Sequence, residues 1–357
     1  MANPLRVGVV GLGFMGRTHV QAFLSAENAG YHSRLVAIAD TKAKDLSDNA
    51  SGGNIKVNAG EVPVDPKKVK MSPNAAGLVA DASVEAVSIC TPTDTHVGLV
   101  IAALAGGKHV LVEKPLALLA EDVLRVHKAA AKADRVCMPA MVMRFWPGWE
   151  WLHDRVKDRS LGACRSVEFE RRGSRPTWNT AFYGDANRSG GALLDLHIHD
   201  SDFVLWTFGR PEAVTSVGSL EQLTTVYHYA KGSGAPEIVV ASGGWGQHAG
   251  FGFRMRYVAN FEKATADFDL ARGDKPVMLS DAHESKAIEL PTTTGYEAEV
   301  RHFVEIVTKG VTPRATVQDA LDVTCLLDAE RRSIETGRTV PVEYIDPAEE
   351  AGEDPWN

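Results

Sequence analysis

Asp195 and His199 stand four residues apart behind a glycine pair, in Gly190-Gly191-Ala192-Leu193-Leu194-Asp195-Leu196-His197-Ile198-His199-Asp200. On a helix that spacing places both side chains on one face. A carboxylate beside an imidazole fixes the ring's orientation and tautomer and raises its basicity, as proton transfer near neutral pH requires. The same spacing also makes an ordinary hydrogen bond on a helix surface, so its chemistry depends on what else the chain brings to it. His197 invites a metal reading, but zinc needs three or four convergent ligands, and residues two apart on a helix point to nearly opposite sides. His197 therefore reads as a packed or capping histidine, and no metal is expected.

A second group with chemical potential is Glu113-Lys114-Pro115, which follows the apolar run His109–Val112. A lysine at the carboxyl end of a buried strand lies at the rim of a cleft, where its ammonium can steady an oxygen whose charge changes during hydride transfer. The third is the turn Gly11-Leu12-Gly13-Phe14-Met15-Gly16 between a strand, Leu5 to Val10, and a segment of helical character from Arg17 to Leu24. Strand, glycine turn and helix in that order bind dinucleotides: the first glycine permits the turn, the second admits the pyrophosphate, the third lets helix pack on strand, and the helix N-terminus offers free N–H groups. A second strand, Leu35 to Ala39, ends in Asp40 at the separation expected of a ribose-binding acid. Asp40 favours NAD over NADP because a 2′-phosphate there meets a like charge. Lys42 and Lys44 leave NADP possible, although they read as solvated helix charges. Cofactor contacts are expected from Gly11, Gly13, Phe14, Met15, Gly16 and Asp40, and from Thr91, Pro92, His96, Glu113 and Lys114 after the later strands.

These groups need a scaffold, and the pattern around them supplies one. Ala86–Cys90, His109–Val112 and Val136–Ala140 read as strands, with helices over 94–105 and 121–133, which makes residues 1–140 a doubly wound Rossmann domain. Thr93 or Asp94 reads as the N-cap of the first of those helices. From 141 to 345 the pattern changes to an α+β domain, expected to bind substrate and join subunits. Phe251, Phe253, Met255, Tyr257, Ala259 and Phe261 alternate onto one face, and similar alternation over 166–171, 214–218, 238–242 and 264–270 gives an open, mainly antiparallel sheet. Helices are expected over 297–308 and 317–334, and a short strand over 339–344. The stretch 45–73 reads as a polar insertion, and 346–357 as an acidic tail.

The 357 residues suit two domains, and 44% hydrophobic with 24% charged residues is a globular composition. A net charge of -8, without basic blocks, argues against nucleic acid or anionic lipid as partners. Four scattered cysteines, Cys90, Cys137, Cys164 and Cys325, suggest neither a zinc knuckle nor a disulfide framework. With no basic leader and no apolar run of membrane length, a soluble cytoplasmic protein is expected.

Four motifs, in order, resemble those of the glucose-fructose oxidoreductase and inositol dehydrogenase (Gfo/Idh/MocA) family: Gly11 to Gly16, Thr91-Pro92 through His96, Gly106-Gly107-Lys108-His109-Val110-Leu111-Val112-Glu113-Lys114-Pro115, and Gly190-Gly191 through His199. Arg144-Phe145-Trp146-Pro147 and the closing 333–338 segment fit the same pattern. The resemblance implies a nicotinamide-dependent sugar or polyol oxidoreductase with Lys114, Asp195 and His199 as its catalytic group, and a C-terminal sheet whose outer face joins a homo-oligomer, dimer or tetramer. On that reading a secondary hydroxyl of a sugar, anhydrosugar or cyclitol gives its proton to His199, oriented by Asp195, while Lys114 holds the oxygen. Either Lys114 or His199 can carry the proton away, with His199 favoured. Arg144, Trp178, Tyr183 and His248 are the expected substrate contacts. Two other readings use the same site: a glycosidase in which transient oxidation permits elimination without net NADH, and a sensor that binds dinucleotide and sugar without turnover. A sensor has no need of the proton relay that Lys114, Asp195 and His199 supply.

Overall fold

A computed structural model describes residues 3–41, 64–65 and 67–347. Lys42, Lys44, most of the expected insertion and all but the start of the acidic tail lie outside the described residues.

The N-terminal half is built as the alternation predicts. Strand β1 (Leu5–Val10) leads into helix α1 (Phe14–Asn28), followed by β2 (Ser33–Ala39), β3 (Lys70–Ser72), α2 (Ala75–Ala80) and β4 (Ala86–Ile89). Helix α3 (His96–Ala105), β5 (His109–Val112), α4 (Ala120–Ala133) and β6 (Cys137–Pro139) complete it. The six strands pair in parallel in the order β3-β2-β1-β4-β5-β6. Val7, Val9, Val87, Ile89, Val110 and Val112 are fully buried, as continuous apolar strands covered on both faces must be. The reversal of strand order between β1 and β4 opens a crevice at their carboxyl ends, where ligands of such sheets sit. Two elements depart from the sequence reading. The end of the expected insertion forms the edge strand β3, and α2, which follows it, was not expected.

After α5 (Pro147–Asp158) and β7 (Cys164–Arg172), two single-turn helices, α6 (Thr180–Tyr183) and α7 (Ala186–Ser189), precede a π-helical turn at Leu193–His197 that runs into α8 (Ile198–Phe208). Then come β8 (Ala213–Ser219), β9 (Gln222–His228), β10 (Ile238–Gly244), β11 (Arg254–Phe261), β12 (Thr265–Asp269), β13 (Val277–Ser280) and β14 (Ser285–Ala287). Helices α9 (Gly295–Lys309) and α10 (Val317–Thr336) and the two-residue β15 (Val340–Pro341) close the described chain. The second sheet has nine strands in the order β14-β13-β12-β11-β7-β10-β9-β8-β15, antiparallel except where β10 runs parallel to β7.

One face of this sheet is sealed by aromatic packing: the Trp149 ring on α5 stacks on Phe169 at 5.2 Å and meets Phe203 edge-on at 4.9 Å. The alternation from Met255 to Phe261 is real and its odd positions are buried, but Phe251 falls in a short turn before the strand and is exposed. The expected strand over 339–344 shrinks to two residues. Among the described residues no helix is long and apolar enough to cross a membrane.

Candidate active site

The glycine turn is shaped by close contacts. Gly11 has φ +88°, and a Cβ at Gly16 would lie 1.7 Å from the Gly11 carbonyl oxygen, so α1 can approach β1 only with glycine there. At Gly13 a Cβ would meet nothing within 4 Å, which leaves the backbone open to a ligand at the uncapped N-terminus of α1. Asp40, at the carboxyl end of β2, accepts a hydrogen bond from the Leu12 backbone at 2.6 Å. Gly11, Gly13, Phe14, Met15, Asp40, Thr91 and Pro92 line one cavity of ≈ 670 Å³. An anion-ready helix end and an acid at the second strand fit a dinucleotide.

Two expected cofactor contacts stand behind this wall. Gly16 packs on Gly11, and His96 is buried with its ring nitrogens 2.9 Å and 2.8 Å from the Pro115 and Thr91 carbonyl oxygens, bracing the two loops that follow β4 and β5. Thr93 and Asp94 do not cap α3; Asp94 instead pairs with Arg188 at 2.8 Å.

The same cavity is walled by Glu113, Lys114, Asp195 and His199. Lys114 leaves the end of β5, its bond to Pro115 is cis, and its ammonium reaches across to the π-helical turn. There it donates to the Asp195 backbone oxygen and lies 3.3 Å from Asp195 Oδ1. Gly190 and Gly191 set up this turn: both have positive φ, and a Cβ at Gly191 would meet the Leu220 carbonyl oxygen at 2.9 Å. The wider turn changes the expected partnership. Asp195 contacts Lys114, and among the described residues no hydrogen bond joins Asp195 to His199, the contact expected to orient the ring.

His199 is half-buried. Burial, together with the cationic Lys114 and Arg171, holds its pKa well below the ordinary 6.5, so the ring is neutral and able to take a proton at neutral pH. Arg171, unanticipated from the sequence, lines the cavity and forks onto Asp200 at 2.9 Å and 3.1 Å. Its signal was present: Val167, Phe169 and Arg171 share the inward face of β7, and an arginine on an apolar face needs a buried partner. His197 is fully buried, with Nε2 3.0 Å from Glu330 on α10. Burial opposes charge on that ring, but Glu330 outweighs it and raises the pKa. Among the described residues no group of three or more His, Cys, Asp or Glu side chains could hold a metal ion.

Trp178 and Tyr183 line the cavity and meet edge-on, their ring centroids 5.7 Å apart. Burial holds the Tyr183 phenol above its ordinary pKa, leaving a neutral O–H. Asn179, Phe253 and Tyr296 join this wall. The other two expected substrate contacts do not. His248 is exposed in the turn after β10. Arg144 is 1% exposed and committed to the interior, 2.6 Å from Asp202 and 3.1 Å from Asp319, with the Arg314 carbonyl oxygen at 2.6 Å.

A dinucleotide crevice facing a lysine and a neutral histidine defines a dinucleotide-dependent oxidoreductase. The chain belongs to the Gfo/Idh/MocA family: residues 5–141 match its model described as an oxidoreductase family with an NAD-binding Rossmann fold, and residues 149–263 match its C-terminal domain. The N-terminal domain is thus an NAD-binding Rossmann domain. The chain is 25% identical to myo-inositol 2-dehydrogenase of Thermotoga maritima over 360 residues, covering 96% of this chain and 99% of the relative. It is 25% identical to scyllo-inositol 2-dehydrogenase (NAD(+)) of Bacillus subtilis over 347 residues, 90% of this chain and 91% of the relative. The fold is shared with levoglucosan dehydrogenase in complex with NADH and levoglucosan, at a TM-score of 0.78 and 19% identity, covering 95% of this chain and 99% of that one.

Arg144→Ala should act on stability. Removing the cation leaves Asp202 buried and unpaired, which costs about 3–5 kcal/mol, read as a lower urea midpoint, with KM for the organic substrate little changed. A raised KM in a fully stable variant would return Arg144 to the substrate site.

Proposed function

We propose that the protein oxidises a secondary hydroxyl of a neutral cyclic polyol, a sugar, anhydrosugar or cyclitol, using NAD. What carries this reading is the convergence of Lys114, Asp195 and His199 on the cavity that also holds the glycine turn and Asp40. Bound NAD supplies the acceptor for the hydride that leaves the carbinol carbon. The hydroxyl proton passes to a ring nitrogen of His199, so the alcohol loses two electrons and two hydrogens and becomes a ketone. Lys114 donates to the substrate oxygen and stabilises its developing negative charge. Asp195 holds the Lys114 ammonium in place, a role that replaces orienting His199.

Trp178 and Tyr183 offer aromatic faces to the apolar side of a ring. Asp40 supports NAD over NADP, since its carboxylate favours ribose hydroxyls and repels a 2′-phosphate. The names of the inositol dehydrogenase relatives support the cyclitol class.

The experiment that tests this reading follows NADH absorbance with NAD or NADP against inositols, aldoses, anhydrosugars and amino sugars. NADH should accumulate with at least one of these alcohols and faster with NAD than with NADP. Consumption of a glycoside without net NADH would indicate elimination instead, and tight NAD binding without turnover on any of them would indicate a sensor.

His199 should also set the acid limb of kcat/KM for alcohol oxidation. Its pKa lies below 6.5 because burial, Lys114 and Arg171 disfavour the imidazolium. Oxidation should therefore hold as pH falls through 6.5 and fail only at lower pH. His199→Ala should lower kcat by about 10²-fold or more while leaving NAD affinity nearly intact. An acid limb at or above the ordinary histidine value, or unchanged turnover in the variant, would remove His199 from the role of base.

A further inference from the structure

Behind the Lys114 wall lies a line of buried polar groups that the proposed reaction does not use. His19, on α1 and fully buried, has Nδ1 2.7 Å from Ser88 Oγ on β4 and Nε2 3.0 Å from Glu113 Oε1 at the end of β5. The second contact is an ion pair rather than an aligned hydrogen bond. Glu113 is 6% exposed, and its other oxygen accepts a hydrogen bond from the Lys114 backbone N–H at 3.2 Å. The line therefore runs from the middle of the first sheet through α1 to the residue whose ammonium contacts Asp195.

The charges are held by their surroundings. Burial works against an imidazolium at His19, but Cys90 and Glu113 outweigh it and raise its pKa well above the usual value. Burial also works against the Glu113 carboxylate, but His19, Lys114 and His96 lower its pKa. Glu299 and Tyr296 approach from α9. Glu299 is fully buried, neither of its oxygens has a hydrogen-bond partner among the described residues, and burial pushes its carboxyl pKa well above the ordinary value. Burial likewise holds the Tyr296 phenol neutral.

An ion pair in this position is not explained by stability. Desolvating both partners costs several kcal/mol per ion, and apolar replacements of buried pairs are often neutral or stabilising. What the pair adds is a fixed link. It ties the carboxyl end of β5 to α1, the helix that presents Gly13, Phe14 and Met15 to the cofactor cavity, and Glu113 also holds the Lys114 backbone. Lys114 is thereby located relative to both the dinucleotide turn and Asp195.

We propose that His19 and Glu113 are positioning residues, a buried pair that sets Lys114 against the dinucleotide-binding helix so that its ammonium meets the substrate oxygen. The proposal rests on the assignment of Lys114 to the reaction, so Lys114→Ala is measured alongside.

The decisive variant is the double substitution His19→Asn with Glu113→Gln, which removes both charges and leaves neither buried alone. It should unfold at the wild-type temperature, and because Glu113 also walls the cavity, NAD affinity, titrated calorimetrically, should change far less than kcat. Its kcat should fall by about 10- to 100-fold, the scale of a misplaced catalytic group, while KM changes little. His19→Gln, whose amide reaches toward Glu113, should recover most of kcat relative to His19→Asn. Wild-type kcat in the double variant, or loss of its fold, would overturn the proposal, the second outcome showing that the pair serves the core. Full turnover by Lys114→Ala would instead refute the assignment of Lys114, whatever the double variant does.

Discussion

A lysine ammonium at the carboxyl end of a parallel sheet touches a carboxylate presented by a turn that packs on a different sheet, and the site exists only because the two meet. Lys114 Nζ lies 3.3 Å from Asp195 Oδ1, and both groups are mostly screened from solvent. Each depends on local geometry that few residues permit. Lys114 sits where β5 ends at the crevice, and Asp195 sits in a π-helical turn launched by two glycines with positive φ. A π-helical turn rotates the side chains that follow it relative to an α-helix, and such turns are enriched at functional sites. Here it gives Asp195 to the lysine and leaves the His199 ring free to face the cavity.

Electrostatics then divides the labour. The cations nearest His199, Lys114 and Arg171, are each paired with an aspartate, Asp195 and Asp200 respectively. Their fields still disfavour an imidazolium at His199, as does burial, and so the ring stays ready to accept a proton. Two residues earlier the His197 pKa moves the other way, because Glu330 lies 3.0 Å away and outweighs the cost of burial. Two histidines two positions apart thus have their pKa values moved in opposite directions, one by a carboxylate partner and the other by burial and nearby cations.

Much of this was legible in the chain. The run His109–Val112 is β5 to the residue, because Val110, Leu111 and Val112 are buried without a polar break. The glycine turn and Asp40 were legible because a turn that admits a pyrophosphate tolerates few other residues. β9 was not, since Thr225 lies on its inward face between Leu223 and Tyr227 and weakens the alternation. The Asp195 to Lys114 contact was hidden for another reason: helical spacing assumes 3.6 residues per turn, and nothing local announces a wider turn. Arg144 misled because a cation after a sheet strand looks like a ligand until its partners, the buried Asp202 on α8 and the half-buried Asp319 near the start of α10, are seen.

The central claim is that Lys114 and Asp195 act as one unit, and a double-mutant cycle on kcat tests it most directly. Lys114→Met, Asp195→Asn and the double variant are compared with the wild-type enzyme, using NAD and whichever cyclic alcohol it oxidises fastest. Groups that act together lose their effect once, so the double variant should be about as slow as the slower single variant. Losses that multiply would mean that the two side chains act independently and would contradict the account.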